Sequence, residues 1–338
     1  MKKITAILLA MLMIVSCVAM TGCGTKTLHF GMGVYAYHKT VSNADGETNG
    51  AGELVVTAAA VLVDADGKIV KCVVDTADST VNWTSAGEAV AKNEFKTKYE
   101  LGTNYNMAAY GSDLNGDGIV KEWFEQIDIF CAAVEGKTID EVKAMLADGY
   151  YGTEELTTAG CTMGVADYVK AVEKAVANAV ASNATANDTL KLGVVTTAEN
   201  ANATEEADGK QEIASTIVAA AVAADGKVNA MSTDVASATY KFNATGATTA
   251  DASAAVTTKK ELGANYNMAA YGADLNGDGV VKEWFEQAAA FDAACVGLTA
   301  SEIAALMVDG YGVESLQTAG CTIGIADMVN AAVKAATL

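Results

Sequence analysis

A long internal duplication constrains this chain more than any other feature. Residues 97–126 read TKYELGTNYNMAAYGSDLNGDGIVKEWFEQ and residues 258–287 read TKKELGANYNMAAYGADLNGDGVVKEWFEQ, with only four of 30 positions different. The match continues upstream, ADGKIVKCVVDT at 65–76 against ADGKVNAMSTDV at 224–235. It continues downstream, LTTAGCTMGVADYV at 156–169 against LQTAGCTIGIADMV at 316–329. Self-similarity of this length requires one supersecondary arrangement to be built twice. It predicts two tandem domains, residues 28–182 and 190–338, joined by a linker at 183–189.

Each copy repeats one order of elements. Residues 53–64 and 68–75 are β-rich runs joined by Ala65-Asp66-Gly67, a hairpin signal. Residues 97–107 read as a short helix or turn. Val120, Trp123, Phe124, Ile127, Phe130, Cys131 and Val134 recur at helical spacing and make one apolar face. A shorter helix is expected over 139–146. Val165, Val169, Val172 and Val176 mark a last helix from about Gly164. Strands first and helices after predict an α+β fold, a small antiparallel sheet or hairpin followed by packed helices.

The N-terminus has the form of an export signal. Lys2 and Lys3 precede an apolar run over 4–20, and Met20-Thr21-Gly22-Cys23 follows. This resembles a bacterial lipobox, with residues 1–22 as signal peptide, Cys23 as lipidated residue and 23–27 as tether. Ile14-Val15-Ser16-Cys17 is a second such site that would cut the run short. The chain is then exported and held on the extracellular face of the cell membrane through its lipid anchor only.

Composition narrows the partners. The formal charge is -20 and every basic residue is lysine. Without arginine clusters and with this acidity, nucleic acid is not an expected partner. Beyond Cys23, Cys72, Cys131, Cys161, Cys295 and Cys321 show no Cys-x-x-Cys spacing and read as buried thiols rather than a disulfide framework.

Three constellations could carry chemistry. Ala159-Gly160-Cys161-Thr162 and Ala319-Gly320-Cys321-Thr322 precede the last helix of each copy. A helix start offers N–H groups to a phosphate, and glycine lets backbone approach a ligand. The same residues also suit an ordinary N-cap, and spacing alone leaves both readings open. Tyr105, Met107 and Trp123 recur as Tyr266, Met268 and Trp284. Aromatic and thioether groups suit a flat ring. The two tryptophans lie on the apolar helix stripe and fit a core equally well. Finally, Asp113, Asn115 and Asp117, repeated as Asp274, Asn276 and Asp278, have the spacing that opens a calcium loop. Position 12 is Phe124 rather than an acid, so the alternative is a turn built on Asn-Gly and Asp-Gly. His29 and His38 have no counterpart in the second copy, and no Ser-His-Asp, Walker or zinc pattern is present.

The DGKI hairpin at 66–69, TKxELG at 97–102, Tyr105-Asn106-Met107, Lys121-Glu122-Trp123 with Glu125-Gln126, and LTTAGCT at 156–162 all recur in the second copy. Together they resemble the FMN-binding lipoproteins of Gram-positive bacteria, whose two-domain members carry electrons outside the cell. The resemblance implies FMN joined through its phosphate to a threonine in each domain by a separate flavin transferase. It places the acceptors at Thr162 and Thr322. The family's attachment motif is roughly Ser/Thr-Gly-Ala-Thr followed by a hydroxyl residue. Here Ala159 and Ala319 replace the first hydroxyl, Cys161 and Cys321 replace alanine, and Gly164 and Gly324 follow. A literal match stands at Thr245-Gly246-Ala247-Thr248-Thr249, making Thr248 the second choice.

The resemblance thus implies an electron carrier more than a substrate-specific enzyme. Its donor would be a membrane quinone- or NADH-linked reductase and its acceptors extracellular. Two other readings stand beside it: a calcium-stabilised, non-redox surface binding or adhesion lipoprotein, and an extracellular flavin reductase of one small substrate.

Overall fold

A computed structural model describes residues 27–92, 94–109, 111, 120–270, 272 and 281–337. The export signal with Cys23 lies outside the described residues. So do the two acidic segments carrying Asp113, Asn115, Asp117, Asp274, Asn276 and Asp278.

The fold is α+β, with antiparallel sheets and packed helices. In the first half, β1 (His29–Ser42), β2 (Gly50–Val63) and β3 (Ile69–Trp83) form a meander. Short strands β4 (Ala89–Val90) and β5 (Val180–Ala181) extend its edges in the order β4-β3-β2-β1-β5. The α-helices among the described residues of this half are α1 (Lys98–Leu101), α2 (Trp123–Val134), α3 (Ile139–Lys143), α4 (Glu154–Thr158) and α5 (Ala166–Ala177). The second half repeats the meander as β6 (Thr189–Ala201), β7 (Gly209–Val222) and β8 (Val228–Phe242). Its helices are α6 (Lys259–Leu262), α7 (Trp284–Cys295), α8 (Ala300–Ala304), α9 (Glu314–Thr318) and α10 (Ala326–Ala336).

The β2–β3 hairpin forms where Ala65-Asp66-Gly67 predicts it. Asp64 Oδ1 accepts from the Asp66 and Lys68 amides at 2.9 Å each, and Gly67 takes φ +77°. Strand β1 is not evident from the sequence, because Gly31 and Gly33 interrupt its β-formers. Those glycines let α5 lie directly on the strand. A Cβ on Gly33 would collide with backbone atoms of Ala171 and Ala175, and one on Gly193 with those of Ala331 and Ala335.

Residues 54–63 of β2 are buried without interruption, so both faces of this strand are covered. Alternate side chains divide between two cores. Ala59, Val61 and Val63 meet α2 and α5 through Trp123, Ile127, Phe130, Val169 and Val172. Leu54, Val56, Ala58, Ala60 and Leu62 face the other sheet and meet Ile213, Ile217, Ala219 and Ala221 of β7. The layers therefore run helix, sheet, sheet, helix, with one core shared between the two sheets.

Matching positions meet at the centre. Trp83 and Phe242, each the last residue of its meander, stack at 5.0 Å with 2° between planes. Ala44 N donates to Gly246 O at 2.9 Å, and Ala203 N donates to Gly87 O at 2.7 Å, a reciprocal exchange between turns. Cys72, Cys131, Cys161, Cys295 and Cys321 are all buried free thiols. Among the described residues, no helix is long and apolar enough to cross a membrane.

Candidate functional site

Gln126 organises the region around Thr162. It lies in the first turn of α2, where a polar residue ordinarily faces water, yet it is buried. Burial requires its amide to be satisfied at both ends. Its Oε1 accepts from Thr162 N at 2.9 Å, Met163 N at 3.1 Å and Thr162 Oγ1 at 3.3 Å. Its Nε2 donates to Lys121 O at 2.9 Å and contacts Met107 Sδ at 3.4 Å. One side chain thus joins 107, 121 and 162–163. Met107 is held further by its amide, which donates to Glu122 Oε2 at 2.9 Å.

The second half repeats this node. Gln287 Oε1 accepts from Thr322 N at 2.9 Å, Thr322 Oγ1 at 3.1 Å and Ile323 N at 3.2 Å. Its Nε2 reaches Lys282 O and Met268 Sδ at 2.9 and 3.4 Å. Met268 N donates to Glu283 Oε2 at 2.9 Å.

Cations and aromatic rings border each node. Gly160 and Gly320 adopt φ +101° and +96°, and a Cβ at either would strike the side chain of Lys121 or Lys282. Lys282 Nζ donates to Ala319 O at 3.1 Å. Lys98 Nζ lies 5.0 Å from the Tyr105 ring centre, and Lys259 Nζ lies 5.0 Å from that of Tyr266. Lys98 also sits 3.8 Å from Asp78, an acid whose place in the second half is taken by Ser237. Helix α1 is anchored by Asp75, whose Oδ1 accepts from Thr76 N at 2.7 Å and Tyr99 N at 3.2 Å. Burial pushes its carboxyl up to about 6. Asp234 holds α6 in the same way and is also pushed up by burial.

The predicted helix-start site differs in detail. Thr162 stands four residues before α5, and the N-cap is Val165, which makes no side-chain cap. Neither an ordinary threonine N-cap nor a row of open helix amides describes it. The amides of Thr162 and Met163 go to Gln126, and those of Val165 and Ala166 go to the Tyr150 carbonyl at 2.9 and 3.2 Å. What remains for chemistry is the half-buried hydroxyl itself.

The other expected site residues separate into two groups. Tyr105, Met107, Tyr266 and Met268 are half-buried and border the nodes. Trp123 and Trp284 are core residues, 0% and 3% exposed, and Trp123 Nε1 donates to Tyr168 OH at 2.8 Å. Their faces are therefore spent on packing. Cys161 and Cys321 are buried, and burial pushes their thiols up to about 12 and about 11. They remain protonated and pack as small apolar groups. Thr248 lies in a cross-half turn: its hydroxyl donates to Lys241 O at 2.6 Å and accepts from Ala250 N at 3.1 Å. Gly246, two residues earlier, offers its carbonyl to Trp83 Nε1 at 2.9 Å. That turn accounts for the Thr-Gly-Ala-Thr run by packing. Among the described residues, no group of three His, Cys, Asp or Glu side chains could hold a metal ion.

Gln126, Lys98 and Lys121, with Gln287, Lys259 and Lys282, do not stand out as site residues from their chemistry alone. Their signals are exact recurrence in both copies and their place in the motifs that carry the family resemblance, neither of which gives them a role. Comparison with protein-family models, with curated proteins and with solved structures finds no match to this chain.

Proposed function

We propose that this chain is a lipid-anchored extracellular flavoprotein, with two tandem homologous domains that each carry one FMN as a phosphoester on Thr162 or Thr322. It takes electrons from a quinone- or NADH-linked reductase in the membrane and passes them to extracellular acceptors. The observation that carries this reading is the duplicated glutamine node, which holds a threonine hydroxyl and a methionine thioether together in both halves.

The residues present fit a phosphate-linked planar cofactor. The half-buried Thr162 hydroxyl is an acceptor for the ester, and the Lys121 ammonium over Gly160 suits the charge of a phosphate. Tyr105 and Met107 offer polarizable surface to a ring, as do Tyr266 and Met268. FMN, when bound, supplies the reversible electron transfer; the protein supplies position and electrostatics. Gln126 Oε1 orients the Thr162 hydroxyl and keeps two amide donors after the ester forms, so the node survives loading. Cys23 would keep the carrier beside its donor, and two sites on one chain would raise the effective concentration for transfer between them.

Co-expression with a flavin transferase and intact-mass measurement tests the reading. The mass should rise by two FMN phosphoester increments, and peptides containing Thr162 and Thr322 should carry them. The Thr162→Ala/Thr322→Ala double variant should gain none. An unchanged mass overturns the flavin reading, and label on Thr248 overturns the site assignment.

A further inference from the structure

The two nodes match, but their surroundings do not. In the first half, the segment after Thr162 is walled by tyrosines. The Tyr150 ring lies against Gly164, where an added Cβ would run into its Cε1 and Cζ. Tyr150 packs edge-on to Tyr151, with centroids 4.8 Å apart and 88° between planes. Tyr37 of β1 stands by the Asp167 carboxylate, and burial and that carboxylate push its phenol up. Gly164 is half-buried and Ala166 buried as a result.

The second half lacks this wall. Gly149-Tyr150-Tyr151-Gly152 is answered by Gly310-Tyr311-Gly312, one residue shorter. The Tyr150 carbonyl, which receives Val165 N, is replaced by that of Gly310, which receives Ile325 N at 2.9 Å. Thr197 stands where Tyr37 does and approaches Asp327 at 3.5 Å. Tyr311 bridges to Gly324 through the backbone, but among the described residues an added Cβ at Gly324 would meet only the Gly310 carbonyl, at 3.9 Å, and both Gly324 and Ala326 are exposed. The hydrogen bond from the residue before the last helix to this segment is kept in both halves, while the aromatic ring on the glycine is present in only one.

We infer that the two sites are unequal: Tyr150 is an aromatic wall that shields a planar group held at Thr162, whereas a group held at Thr322 is open to solvent. This rests on the flavin reading above. Tyr150 is 55% exposed even though its ring packs on Gly164, two residues after Thr162. An aromatic side chain gains most from such exposure when a flat partner covers it. The Thr322 site, open beyond Gly324, is then the one that meets diffusible acceptors.

The test uses the full chain loaded by a flavin transferase, with one acceptor threonine removed at a time. Thr322→Ala leaves flavin at Thr162 and Thr162→Ala leaves it at Thr322, each verified by intact mass. Flavin fluorescence is then quenched with acrylamide, which is neutral and indifferent to the acidic surface. The flavin at Thr162 should be severalfold dimmer, because a neighbouring phenol quenches it, and severalfold less accessible to acrylamide. Tyr150→Ala in the Thr322→Ala background should bring both values to those of the Thr322 site. Tyr150→Phe should keep the protection from acrylamide, since the ring and the backbone carbonyl are retained. Equal quenching at the two loaded sites, or no response to Tyr150→Ala, overturns the inference and leaves the flavin reading intact. Absence of the FMN increment from both single variants overturns the two together.

Discussion

The two halves agree wherever backbone and buried polar groups set the structure, and diverge where side chains reach the surface or fill the outer core. Both have the same meander, the same glycine under the last helix and the same glutamine node. Yet the first half places Cys131 at the point of its long helix where the second buries Asp292. Asp292 receives Thr233 N at 3.1 Å and Thr233 Oγ1 at 2.5 Å, and burial pushes its carboxyl up. The first half also adds the Tyr150 wall. The common features are those a duplicated fold cannot lose. The differences are those that can make two copies do different work.

The largest expected effect tests whether the halves are separable. Trp83 is fully buried, stacked on Phe242 and bonded to Gly246 of the other half. Trp83→Ala should cost about 3–5 kcal/mol, the range for emptying a large aromatic site. Because the core is shared, denaturant unfolding should remain one transition moved to lower midpoint. Two resolved transitions, with the second half unmoved, would show that each half stands alone.

Next in size is a pH effect. The Asp75 carboxyl is pushed up by burial from 3.8 to about 6, so the folded state holds its proton more tightly than the unfolded chain does. Its stabilising contribution is therefore complete below pH 3.8 and is lost as pH rises through about 6. Asp75→Asn should flatten the stability curve between about pH 4 and 6, by roughly 3 kcal/mol at about 1.4 kcal/mol per pKa unit. Asp234→Asn should act in the same direction, since burial raises that group too. Asp292→Asn should show a further effect of the same sign that no first-half residue matches. A curve unchanged by Asp75→Asn would contradict the burial of that carboxyl.

The glutamine nodes sharpen the comparison at the sites themselves. Gln126→Leu leaves the Thr162 and Met163 amides without their acceptor, and such orphaned donors cost about 1–3 kcal/mol. About 2 kcal/mol is expected, since both residues are half-buried and water can compensate in part. Gln287→Leu should cost the same. Each variant should also lose FMN labelling in its own half only, read by peptide mapping. Loss in both halves would mean that loading is coupled across the shared core.

What could be read in the sequence follows a physical divide. The hairpin at 64–69 and helix α2 announce themselves through Asp-Gly turn chemistry and helical spacing of apolar residues. Strand β1 does not, because the glycines that admit α5 are the residues that weaken a strand signal. Residues 54–63 show that β2 is apolar on both faces, but no local pattern says that the second face is covered by the other copy. Gln126 hides for a similar reason: a glutamine in the first turn of a helix looks like solvent-facing polarity until its partners from 107 and 162 arrive. Thr162 stands out as a candidate through the duplication, its place before the last helix and the family resemblance. The loop that separates the two sites is visible as a single missing residue, yet its consequence appears only when Tyr150 is seen lying on Gly164.

The smallest effect concerns what orients one half against the other. Lys174 of α5 pairs with Glu261 of α6 at 2.5 Å, and Lys334 of α10 pairs with Glu100 of α1 at 2.6 Å. Each glutamate also serves its own helix, accepting from Thr258 N at 3.1 Å or Thr97 N at 2.9 Å. The four side chains are between 34% and 44% exposed, so each pair should contribute about 0.2–1 kcal/mol and weaken with salt. Lys174→Ala and Lys334→Ala should therefore be nearly silent and nearly equal. Glu100→Ala and Glu261→Ala should cost about 1 kcal/mol more, because each also removes a helix cap. Denaturation at low and high salt separates the two contributions, since only the ion pair fades. A lysine substitution costing several kcal/mol would place the burden of joining the halves on the ion pairs rather than on the buried face of β2.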